Sequence, residues 1–116
     1  MILHAISKYL NENGVKNELE TYEETLRIKS LEPKDQEGEI EWFSIIVQNN
    51  IIDFRYLLTT AIIIEQIDLN HPEALQKLLD HCLKARQNIK NQTPEDKEIH
   101  RQLIAGNQYV RITNKS

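Results

Sequence analysis

The feature that most constrains this chain is the stretch from Glu39 to Ile64, where apolar and β-branched residues alternate in a two-residue period on either side of Asn49-Asn50. Successive strand side chains point to opposite faces, so residues 39–48 set Ile40, Trp42, Ser44 and Ile46 against Glu41, Phe43, Ile45 and Val47. Asn accepts left-handed backbone geometry more readily than most residues, and Asn49-Asn50 reads as a tight reversal. Beyond it, Ile52, Phe54, Tyr56 and Leu58 form an apolar row, and Ala61-Ile62-Ile63-Ile64 favours a further strand. Ile51, Phe54, Leu58, Ile62 and Glu65 also fall near helical spacing, which leaves a helix over residues 51–67 as the alternative. Five Ile and two Thr between Ile51 and Ile64 weigh toward strands, because β-branched side chains lose rotamer freedom in a helix.

Helical signals flank this segment. Ile2, Leu3, Ile6, Tyr9 and Leu10 predict an opening helix over residues 2–12, ended by Asn13-Gly14. Residues 16–24 are polar and acidic, with Val15, Leu19 and Tyr22 as anchors, and read equally as an edge strand or an exposed connection. Thr25 to Ser30 alternates as a strand, and Glu32 to Gly38 has turn composition. Further on, Asn70 or His71 is placed to cap a helix with Pro72 in its first turn. Leu75, Leu78, Leu79, Cys82, Leu83, Arg86 and Ile89 would trace its apolar stripe. Thr93-Pro94-Glu95-Asp96 opens a second helix through Ile99, Leu103 and Ile104, stopping at Gly106. In the tail, Tyr109, Val110 and Ile112 are expected to dock while the last residues fray.

No repeat or long linker divides the chain. The expected architecture is therefore one small α+β domain over residues 1–116: an N-terminal helix, a three-to-four-stranded antiparallel sheet, a long helix and a short C-terminal helix. A chain of 116 residues can hide about two-thirds of its unfolded surface, enough for one core. The single cysteine, Cys82, excludes an internal disulfide, and the start lacks the pattern of a secretory leader, so a cytoplasmic setting is expected. The apolar runs are too short to cross a bilayer, and no membrane partner is expected. With 14 basic against 18 acidic residues and no basic cluster, no nucleic-acid partner is expected either.

Catalytic chemistry finds few footholds. His4, His71, His81 and His100 form no two-histidine helix motif, and adjacent His81 and Cys82 diverge by about 100° around a helix. Cys82 lies on the apolar stripe and reads as a packed thiol without an oriented base. Glu18, Glu20, Glu23 and Glu24 read as a solvated acidic edge or a contact for a basic partner, since they lack calcium-loop spacing. Gly14, Gly38 and Gly106 are isolated, so there is no phosphate loop. No catalytic, cofactor or metal residue is assigned.

The order of elements, carried by Ile2 to Leu10, Leu26 to Ile28, Ile40 to Val47, Ile52 to Leu58 and Glu73 to Ile89, resembles that of YbjN-like proteins and bacterial secretion chaperones. That resemblance rests on order and periodicity, with no diagnostic motif. It implies a non-enzymatic, commonly dimeric protein that binds clients or assists assembly. The expected function is thus a protein-binding adaptor or chaperone-like module; the alternatives are a structural or regulatory subunit of a complex and, behind it, a small enzyme. The row Phe43, Ile45 and Val47 is the expected interface with a partner or a second copy in a homodimer, because a two-layer domain covers only one sheet face with its helices. The rival arrangement has helices on both faces and buries both rows within one subunit.

Overall fold

The computed structural model describes residues 2–31, 42–58, 61–106 and 110–115, without the side chains at 57, 58, 97, 100, 101, 103 and 104. The expected turn at Glu32 to Gly38, Ile40, Glu41, Thr59-Thr60, Tyr109 and the side chains of Leu58, His100, Leu103 and Ile104 lie outside the described residues. Helix α1, Ile2–Glu12, forms where the periodicity places it and buries Leu3, Ile6, Ser7 and Leu10. It ends on Gly14, whose φ of +82° suits a residue without a Cβ, and the Val15 N–H donates to the Leu10 carbonyl at 2.9 Å.

Five strands then follow as a meander: β1 (Asn17–Tyr22), β2 (Thr25–Ser30), β3 (Phe43–Gln48), β4 (Ile51–Leu58) and β5 (Ala61–Asp68), each antiparallel to the next. The Asn49-Asn50 reversal has φ values of 52° and 62°, a two-residue turn whose twist matches a hairpin. The same geometry recurs at Glu23-Glu24, with φ of 48° and 66°, on residues that adopt it much less readily. Ser30 fixes the start of β3: its hydroxyl oxygen accepts the backbone N–H groups of Trp42 at 3.0 Å and Phe43 at 3.2 Å.

The sheet is larger than the three or four antiparallel strands expected. It has six strands in the order β1-β2-β3-β4-β5-β6, and the last, β6 (Val110–Lys115), runs parallel to β5. Residues 17–22 join as a strand because their outward acids face cations of β2. The tail joins as a strand through Lys115 rather than docking by its first half alone. Residues 51–58 and 61–68 are strands, not a helix.

Helix α2, Ala74–Lys90, begins later than Asn70 or His71 would set it. Those positions form turns instead: Asp68 Oδ1 accepts from Asn70 N–H, and His71 Nδ1 accepts from Glu73 N–H. Its buried face is Ala74, Leu78, Leu79, Cys82 and Ala85, whereas Leu75 and Leu83 are exposed. Two buried alanines, Ala74 and Ala85, are invisible to a stripe read from large residues. Helix α3, Pro94–Ala105, has the expected start: Thr93 and Asp96 exchange backbone N–H to side-chain bonds of 3.2 Å in both directions.

Both packed helices lie on one face of the sheet, α1 on β1 and β2, α2 on β4 and β5. The core between them holds Ile28, Phe43, Ile45, Ile52, Phe54, Ile63 and Ile67 from the strands against Leu3, Ile6, Leu10, Leu78 and Cys82 from the helices. Arg86 of α2 reaches the turn after α1, donating to the Gly14 carbonyl at 3.0 Å.

Candidate protein-binding surface

The expected interface row requires correction. Phe43 and Ile45 are 1% and 0% exposed, and Val47 is half-buried against the core, so the row faces the helices. The cause is the hairpin register: Val47, Ile45 and Phe43 lie opposite Ile52, Phe54 and Tyr56, which places two apolar rows on one face. Trp42 is buried as well, because it precedes the strand at a bend rather than following the outward row.

The other sheet face carries the charges. Glu20 accepts from Arg27 Nε at 2.7 Å and lies 3.0 Å from Lys29 Nζ, while Glu18 lies 3.2 Å from the same ammonium. The Arg27 guanidinium also sits 4.6 Å above the Tyr22 ring. Burial raises the pKa of Glu20, but Lys29 and Arg27 outweigh it and hold the carboxyl below its ordinary value. Across the sheet, Asp53 accepts from Gln66 at 3.0 Å and lies 3.7 Å from Arg55. Much of this face is thus occupied by its own ion pairs.

Cys82 is fully buried, and burial pushes its thiol pKa upward, disfavouring the thiolate that nucleophilic or metal chemistry would need. His81 stacks over the Phe54 ring, centroids 6.2 Å apart, rather than turning toward the thiol. The acids Glu18 and Glu20 belong to the ion-pair ladder, while Glu23 and Glu24 form the β1–β2 turn.

Exposed aliphatic strand residues lie at the other end of the sheet. Beyond the helix-covered strands, β6 leaves Val110 and Ile112 60% and 44% exposed on the helix side, aligned with Ala61 and Ile63 of β5. Arg111, Thr113 and Lys115 alternate onto the charged face, aligned with Ile62, Ile64 and Gln66. Asn114 donates to Glu65 at 3.0 Å and fixes the register. Among the described residues β6 is last in the order, and it offers the outer side of its backbone to solvent or to another strand.

No protein-family model, curated protein or solved structure matches the chain. The local signal of this strand is the period-two alternation Val110-Arg111-Ile112-Thr113, in a tail whose first half is expected to dock and whose last residues are expected to fray. Nothing in a single strand announces that its partner lies some fifty residues upstream. Among the described residues, no helix is long and apolar enough to cross a membrane.

Proposed function

We propose that this protein is a non-enzymatic protein-binding adaptor or chaperone-like module. The observation that carries the reading is β6, a sheet-edge strand with Val110 and Ile112 exposed on one side and cations on the other. An edge strand with uncovered apolar side chains is a liability in water unless another chain uses it, and backbone pairing then adds to apolar burial. Ile99 on α3 and Leu75 and Leu83 on α2 add exposed apolar area.

Affinity capture from the native cell, with retained proteins identified after a high-salt wash, tests the reading. A specific partner should persist in high salt, where purely electrostatic contacts are screened, and its retention should fall for Ile112→Asp. Recovery of the same proteins by wild type and by an unfolded control would refute it. Placement in the cytoplasm belongs to the same proposal and is checked by fractionating the native cell.

A further inference from the structure

We infer that the β6 edge takes an antiparallel strand from a partner protein in which acidic and apolar residues alternate, with an acid opposite Arg111 and an apolar residue opposite Ile112. This rests on the protein-binding reading and names the chemistry of the partner. Its basis is a likeness between two strands of the same sheet. In β2, Leu26-Arg27-Ile28-Lys29 alternates apolar, Arg, Ile and polar residues; in β6, Val110-Arg111-Ile112-Thr113 does the same with the same alternation of faces.

The chain itself shows what such a strand receives. β1 lies antiparallel on β2 with Glu20 opposite Arg27, Leu19 opposite Ile28 and Glu18 opposite Lys29. The acids are drawn to the cations, and Leu19 lies beside Ile28 on the core face, partly buried against the cluster that holds it. A strand of this kind on β6 would set an acid opposite Arg111 and an apolar side chain opposite Ile112. Thr113 stands where β2 has Lys29, and the second acid reaches Lys115 instead, since a diagonal neighbour at about 7–8 Å is within range of long side chains. Arg111 already interacts within the chain. A guanidinium has five donors, and Arg27 engages Glu20 and the Tyr22 ring at once.

Charge argues against a second β6 as occupant. Two such strands would bring four cations onto one face, whereas an acidic strand neutralises them. The exposed Val110 and Ile112 supply the apolar half of the contact.

The probe is the capped hexapeptide Asn-Glu-Leu-Glu-Thr-Tyr, titrated into the isotopically labelled full chain and followed by amide shifts. The comparison peptide has both Glu replaced by Lys. Shifts should concentrate on β6 and β5, the acidic peptide should bind at least about tenfold more tightly, and its affinity should fall as salt rises. Arg111→Glu should reverse the preference, and Lys115→Glu, farther along the exposed strand, should weaken the acidic peptide while leaving the amide spectrum folded. Equal affinity for the two peptides, shifts away from β6, or an unchanged preference in Arg111→Glu would overturn the inference. So would concentration-dependent self-association of the peptide-free chain that both Arg111→Glu and Glu20→Lys abolish, since the edge would then belong to a second copy. If cellular partners are retained equally by wild type and Arg111→Glu, the inference falls while the protein-binding reading stands.

Discussion

Ile45 lies directly opposite Phe54 in the β3–β4 ladder, and neither side chain has any solvent exposure. The pair sits at the centre of the core, with the Phe43 and Phe54 rings 5.3 Å apart beside it. Ile45→Glu should therefore abolish the fold at every protein concentration, because a buried unpaired carboxylate costs several kcal/mol and the lost packing adds to that. Circular dichroism with light scattering decides it: a folded variant that merely lost self-association would return the Phe43, Ile45 and Val47 row to the surface.

The α1–β1 junction is held by a buried polar knot. Ser7 Oγ donates to Asn17 Oδ1 at 2.5 Å, and Asn17 Nδ2 donates to the Val15 carbonyl at 2.8 Å and the Ser7 carbonyl at 3.3 Å. Asn17→Ala should cost about 2 kcal/mol, since it strips partners from groups that cannot reach water. Urea unfolding of the two proteins gives the difference, and a loss below about 0.5 kcal/mol would show that the groups find other partners.

The Glu23-Glu24 turn holds two ordinary side chains in the left-handed region. Replacing it with Asn-Gly should stabilise the protein by about 1 kcal/mol or more, because those residues suit a two-residue hairpin turn. A thermal midpoint unchanged or lowered by the double substitution would contradict the turn geometry.

Glu20 gives a pH signature. Its folded pKa is depressed below the ordinary 4.5, so its contribution to stability is complete above that value and disappears as pH falls through the lowered one. Wild type should exceed Glu20→Gln in urea midpoint at neutral pH, and the gap should close in acid. A gap independent of pH would assign the effect to packing.

Residues that decide the fold were largely legible, and the burial of the Phe43, Ile45 and Val47 row was not, for a specific reason. The Asn49-Asn50 turn and the Ile52, Phe54, Tyr56 row were both readable. A two-residue turn forces Gln48 opposite Ile51, and therefore Ile45 opposite Phe54, on one face. That link lies in the pairing of the two strands and not in the pattern of either one alone. On α2, the stripe found Leu78, Leu79 and Cys82 but took in Leu75 and Leu83, because hydrophobicity marks a face only to within the width of one helical position. For β6, alternation existed in the sequence, but a parallel partner is set by chain topology rather than by a turn.

The order of strands bears on how the chain assembles. Each of β1 to β5 pairs with its immediate neighbour in sequence, so those ladders join segments that lie close along the chain. Glu65 and Asn114, joined across β5 and β6, are separated by 49 positions. Closing a longer flexible segment loses more entropy, though only logarithmically with length, and non-local pairing slows folding. In refolding followed by pulsed hydrogen exchange, amides of the β3–β4 hairpin should gain protection before those of β6, and the sheet should acquire its final edge last.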